Sequence, residues 1–336
     1  MARSSFAIGI TAAALAVVAL ACLSVAYGST VIPLADVFAA LGRAVGLVAD
    51  GTAGPIDKIV VDLRLPRAIL AIAVGAGLGV VGLLLQTVTR NDLADPFLFG
   101  LSAGAAAGAV AVITRIGDAF GILTLPVAAF VGGMCATSVV LLLIRRTQGH
   151  GPERLILAGL AVSFLFTALT NYLVFSGDQR AAHSVLFWTM GGLGLASWQN
   201  IGIGIAGAAM ALVYALVRHR QLDALLGGEQ TAESLGVPVG RLRTHTFIVA
   251  SFATALLVSV SGVIGFIGLM VPHIARPLAG PLHAGLAVLC ALLGAGLLLG
   301  SDLLARTLLP PQELPVGVIT SSIGALFVVA TLLRRR

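Results

Sequence analysis

Few residues in this chain of 336 could do chemistry, and their spacing limits what that chemistry is. Ser163, Thr167, Thr170 and Asn171 stand at i, i+4, i+7 and i+8, one face of a helix that is otherwise Leu, Phe, Val and Ala. Such a stripe either bonds helix to helix (or back to its own backbone) or faces water as the wall of a passage. Arg64 and Arg67 flank Leu65 and Pro66 at the start of one apolar run, and Arg306 ends another. A guanidinium at a helix N-terminus opposes the dipole, so orienting charge alone does not explain the first two. The three are either interface anchors with buried stems or outward cations that grip carboxylates on an external partner.

Other chemistries lack their parts. All 14 carboxylates fall in loops or at helix ends, with Asp302 the nearest to an apolar interior. A carrier driven by an ion gradient, the rival transport class, usually keeps an ionisable group at mid-depth, so this placement counts against it. His150, His183, His219, His245, His273 and His283 are scattered without zinc-ligand spacing, so no metal site is expected. With no nucleophile elbow or paired carboxylates, no catalytic residue is expected either. The only lysine, Lys58, follows Ile56-Asp57 and cannot close a Gly-x4-Gly-Lys-Ser/Thr phosphate loop. Transport driven by ATP would therefore need a separate ATPase subunit. Cys22, Cys135 and Cys290 lie inside apolar runs and read as packing residues.

The elements that must position these residues follow from composition. The chain is 58% hydrophobic and 10% charged, against about 25% charged in soluble domains. Too little polar surface exists to cover a soluble core, so the class is an all-α polytopic membrane protein. Helices are expected near 6–27, 66–88, 96–114, 121–144, 154–175, 198–217, 244–263, 266–279, 284–304 and 316–333. These ten helices leave no room for a second domain, so 1–336 reads as one transmembrane domain. The first run is too long for a signal-peptide core and stays as helix 1; a lipoprotein cleavage before Cys22 fits poorly. With the N-terminus inside, the inner loops carry 13 basic residues and the outer ones 7, which places both termini in the cytoplasm. The net charge of +6 is this orienting charge and does not call for nucleic acid. Gly75 and Gly79, and Gly100, Gly104 and Gly108, repeat every fourth residue, which lets helices approach closely. The longest polar stretch, Arg218 to Thr246, holds apolar residues among Glu229, Gln230, Thr231 and Glu233. It is expected to form two short amphipathic helices on the cytoplasmic face.

Several segments carry a resemblance: Arg64-Leu-Pro-Arg67, Gly82-Leu-Leu-Leu-Gln86, Asn91-Asp-Leu-Ala-Asp-Pro96, Leu157-Ala-Gly159, Trp188-Thr-Met-Gly191 and Ala232-Glu-Ser-Leu-Gly236. Gly262-Val-Ile-Gly-Phe-Ile-Gly-Leu-Met-Val-Pro-His-Ile-Ala-Arg276, Asp302-Leu-Leu-Ala-Arg306 and Leu314-Pro-Val-Gly-Val318 complete the set. In this order they resemble the permease subunits of ATP-binding-cassette importers for iron chelates and vitamin B12, with the type II importer fold. The resemblance implies ten helices per subunit, a homodimer or paired permeases, two ATPase subunits that bind ATP and Mg, and an external or periplasmic binding protein. No cofactor is expected on this chain. The resemblance implies an inner-membrane location and binding-protein docking at Arg64, Arg67 and Arg306. It also implies a cytoplasmic gate at Asn91 and Leu93, and a central path lined by helix 5 with Ser163, Thr167, Thr170 and Asn171. ATPase coupling falls on about 221–240, with Asp223, Leu226, Glu229, Ala232, Leu235 and Gly236. The implied cargo is a ferric siderophore, with haem and cobalamin as alternatives. Two departures stand out. Asp92 replaces the family's proline after Asn91, and Gly280-Pro-Leu-His283 replaces a Gly-Asp-His-Arg corner.

Overall fold

Apolar runs of this length become helices because a bilayer offers backbone N–H and C=O groups no partner but their own chain. The computed structural model describes residues 2–28, 30–47, 54–117, 121–146, 152–177 and 179–334. His150, Arg335 and Arg336 lie outside the described residues. The helices are α1 (Ala2–Ala26), α2 (Leu34–Ala44), α3 (Pro55–Lys58), α4 (Leu65–Thr89), α5 (Leu101–Ala111), α6 (Thr124–Arg146) and α7 (Pro152–Phe175). They continue as α8 (Gln179–Thr189), α9 (Ile201–Ala224), α10 (Glu229–Ser234), α11 (Val239–Ser261), α12 (Ile267–Ala279), α13 (His283–Thr307) and α14 (Val316–Arg334).

Among the described residues, eight helical segments are long and apolar enough to cross a membrane. The expected helices 3 and 8 are the shorter exceptions. A 3-10 turn, Pro96–Phe99, and Gly100 in a left-handed conformation break off the start of helix 3, leaving α5 with 11 residues. Helix α12 has 13 residues. Helices α2 and α8 were not expected: at 11 residues each, their periodicity is too brief to stand out. Helix α9 runs to Ala224, seven residues past its expected end, because no breaker precedes Gly227 and Gly228.

Helix α4 is the axis of the molecule. It is buried on all faces from Ala68 to Thr89, with only a few half-buried positions, and packs against α9, α11, α12 and α13. Its glycines make this possible. A Cβ on Gly75 would run into the Gly294 carbonyl of α13, and one on Gly82 into the Gly268 carbonyl of α12. The same device joins α5 to α6, where Gly108 meets Ala128 and Gly104 meets Gly132. The expected role of the glycine stripes as close-packing faces is therefore what the helices use.

Replacing Gly82 with Leu should lower stability by roughly 1–3 kcal/mol or more, because the backbones cannot move apart without unpacking α4. Gly9→Leu on α1, where a Cβ meets nothing, should stay within about 0.5 kcal/mol of the parent. Thermal unfolding in detergent compares the two; equal midpoints would contradict the contact.

Candidate functional site

The polar side chains gather at the two ends of α4, roughly 30 Å apart by the rise of the 20 residues from Arg67 to Thr87. At the first end a carboxylate is fully buried. Asp302, on the last turns of α13, takes Nε of Arg67 at 2.9 Å and lies 3.0 Å from Nη2 of Arg306 one turn on. Arg67 also donates to the half-exposed Glu313 at 2.8 Å. Arg306 reaches across to α1, donating to Ser24 Oγ at 2.7 Å, to the Ser24 carbonyl at 3.2 Å and to the Tyr27 carbonyl at 3.3 Å. Arg64 caps the same helix end, donating to the carbonyls of Val25 at 2.9 Å, Ala26 at 2.7 Å and Thr30 at 2.6 Å. These carbonyls have no intrahelical donor, and two guanidiniums also complement the negative end of the dipole.

This corrects the expectation of three outward cations. Arg64 and Arg306 are 6% and 3% exposed, and their donors are spent inside the chain. Arg67 keeps a sliver of accessible side chain beside Glu313. Apart from the local Asp302–Arg306 pair, the acceptors lie 34 to 282 positions away, out of reach of sequence spacing.

At the other end, α4 closes with Arg90 in a left-handed conformation (φ 49°), and the Asn91 amide donates back to the Gln86 carbonyl at 3.2 Å. The loop that follows carries the expected gate. Asn91 Oδ1 accepts from the Leu93 amide at 2.9 Å, which leaves the Leu93 side chain exposed. Asp92 pairs with Arg276 of α12 at 3.1 Å, and Arg276 donates to Gln86 Oε1 at 2.9 Å. Gln86 in turn donates to the Gly268 and Leu269 carbonyls, both at 3.2 Å. Asp95 caps the turn through the Phe97 amide at 3.0 Å. Burial pushes its carboxyl up to about 6, against the pull of the Phe97 and Leu269 amides, which favour the carboxylate.

The same end holds the expected coupling stretch. It contains one six-residue helix, α10, and a 3-10 turn at Leu225–Gly227; its first part is the end of α9 rather than a second separate helix. Ala232 is buried under α10, while Leu226 and Leu235 are exposed apolar side chains. Gly236 (φ 81°) ends the helix in a conformation that favours glycine. Glu229 pairs with Arg243 of α11 at 2.6 Å, and Asp223 accepts from His283 Nδ1 at 2.7 Å.

Between the ends, the stripe on α7 divides. Ser163 lies within reach of the Gly159 carbonyl of its own helix at 2.9 Å and of the Phe97 carbonyl across the packing at 3.3 Å, and Thr170 donates to the Phe166 carbonyl at 2.9 Å. Thr167 and Asn171 are exposed. A cavity of about 820 Å³ opens beside Leu93 and is walled by Met190, Phe266, Ser321 and Ser322. None of the four α7 residues lines it. Sequence reasoning missed the α14 hydroxyls; the signal was a Ser-Ser pair inside an otherwise apolar run.

A bundle of long apolar helices, with the described ion pairs gathered at its ends, defines a polytopic membrane-spanning protein. The chain belongs to the FecCD transport family, whose profile matches residues 15–334. It is 38% identical over 279 residues to the hemin transport system permease protein HmuU of Yersinia pestis, covering 82% of this chain and 83% of that one. It is 39% identical over 278 residues to the Fe(3+) dicitrate transport system permease protein FecD of Escherichia coli K12, covering 83% and 86%. The cobalamin import system permease protein BtuC of Halobacterium salinarum is 40% identical over 274 residues, covering 80% and 72%. A solved structure described as an inward-facing metal-chelate type ABC transporter superposes with a TM-score of 0.82 at 27% identity, covering 97% of this chain and 98% of that one.

Asp302→Asn leaves Arg306 buried without a counter-ion and Arg67 with Glu313 alone, and should cost about 3–5 kcal/mol, whereas Glu313→Gln should cost about 0–1 kcal/mol. Thermal melting of both variants measures the contrast. Asp95 holds its proton to higher pH in the folded chain than in the unfolded one. Protons therefore favour the fold, and this part of the stability falls as pH rises from about 4 to about 6. Melting midpoints of the parent and Asp95→Asn, compared from pH 7 to pH 5, should diverge, with the parent alone gaining from acid at this site.

Proposed function

We propose that this chain is the permease of an ATP-driven importer that moves an iron chelate, a ferric siderophore, from an external binding protein across the cytoplasmic membrane. Family membership over nearly the whole chain carries this reading, together with relatives named for hemin, ferric dicitrate and cobalamin transport. Haem and cobalamin are the alternative cargoes. A cavity walled by Met, Phe and Ser suits the organic surface of a chelate that moves whole.

In this reading, one domain spans 1–336 with ten crossings, α5 and α12 included, and both termini are cytoplasmic. Two copies pair, and two ATPase subunits bind ATP and Mg. The binding protein docks at the end of α4 that carries Arg67 and Glu313. Arg64 and Arg306 hold the helix ends beneath that surface, since their own donors are occupied. Cargo passes along α7, with Thr167 and Asn171 facing the path and Ser163 and Thr170 shaping it. The gate is the loop with Asn91 and Leu93. The ATPase seats against Leu226 and Leu235, with Asp223, Glu229, Ala232 and Gly236 holding their shape, in the segment about 221–240. ATP works the gate only by binding one gate state better than the other.

Reconstituted with its ATPases and binding protein, the chain should take up radio-iron bound to a hydroxamate siderophore in a vanadate-sensitive manner. The chain alone should not accumulate it, and accumulation driven by an ion gradient would overturn the reading. Leu235→Asp should weaken ATPase copurification at least about tenfold, as expected for an apolar anchor at an interface. Unchanged copurification would remove the coupling segment from the account.

A further inference from the structure

The coupling segment does not simply rest near the gate; two independent side-chain ties join it to the last turn of α4. Downstream, Glu229 at the start of α10 pairs with Arg243 Nη2 at 2.6 Å. The same guanidinium donates from Nε to the Val88 carbonyl at 3.0 Å. Upstream, Asp223 Oδ1 accepts both the His283 amide at 2.8 Å and His283 Nδ1 at 2.7 Å. The other ring nitrogen, Nε2, lies 2.8 Å from the Thr87 hydroxyl. Thr87 and Val88 are adjacent, and the gate loop begins two residues later. Both ties are largely dry: His283 and Arg243 are 1% and 9% exposed.

A third link runs on from the same turn. Gln86 accepts from Arg276, and Arg276 pairs with Asp92 inside the loop. Asp92 and His283 both take part in this net. Asp92 holds the loop to α12 by charge. His283 supplies, from the first residue of α13, the connection back to Asp223.

We infer that Glu229–Arg243–Val88 and Asp223–His283–Thr87 act as paired struts that carry movement of the ATPase-facing segment into the final turn of α4 and so into the loop at Leu93. The inference deepens the proposed function and rests on it. The struts reach the turn from both sides of the Leu225–Gly228 bend, so a shift of α10 relative to α9 turns the end of α4 as well as displacing it. Arg243, His283 and Thr87 are positioning residues here, because none of them touches cargo or nucleotide.

The test reads the gate without cargo. Leu93→Cys, in a background with Cys22, Cys135 and Cys290 replaced by Ala, is labelled with a maleimide in the assembled complex, with and without ATP and vanadate. With the struts intact, nucleotide should change the labelling rate. Arg243→Met or His283→Ala should each shrink that change roughly threefold and the double variant about tenfold, while ATP hydrolysis continues. A double variant that assembles and responds like the parent overturns the inference. Should the double variant fail to assemble, Thr87→Val, which removes one hydroxyl at the receiving end, should still shrink the response about twofold, and a full response would equally overturn it. A parent that assembles with the ATPases yet shows no nucleotide response at Leu93 takes down the gate reading, and the struts with it.

Discussion

Where Gly75 meets Gly294 and Gly82 meets Gly268, α4 lies backbone to backbone against α13 and α12. Lipid gives helices no hydrophobic reason to associate, so such contacts, with their dense van der Waals surface, take over that work. The consequence is a largely enclosed helix that cannot shift at one end without engaging its neighbours. Both polar clusters hang from it. Its start carries Arg64 and Arg67, and its end carries Gln86, Thr87 and the Val88 carbonyl.

The two clusters solve different electrostatic problems. Near Arg67, a carboxylate is removed from water altogether between two guanidiniums, whose remaining donors go to acceptors on and just after α1 and to Glu313. A net of this kind is unforgiving of single deletions and well suited to fixing helix ends in one arrangement. Near Thr87, the Arg243 and His283 ties are also buried but join the helix to a loop and a short helix, and only the exposed Asp92–Arg276 pair is weak by its setting. One end is braced and the other is jointed. A permease that must keep its shape on one face while moving on the other is served by that asymmetry.

The family pattern and the chain's own departures from it meet in the jointed end. In the loop after α4, Asp92 reaches Arg276 of α12. The altered corner after Arg276 still closes on a neighbour, through His283 and Asp223.

Much of this was legible in the residues alone. Composition decided the membrane class, long apolar runs placed most helices to within a few residues, and four-residue glycine spacing marked the close faces. Ordered motifs pointed to the family. Such features are local: periodicity and breakers lie within one run of chain. The tertiary structure decided the rest. It turned Arg64 and Arg306 inward onto α1, extended α9 through Ala224, split the α7 stripe between backbone and surface, and gave Arg243 and His283 their reach to α4. A sequence shows which side chains carry donors. Which acceptor each one meets depends on where helices distant in the chain come to lie together, and that is set by packing.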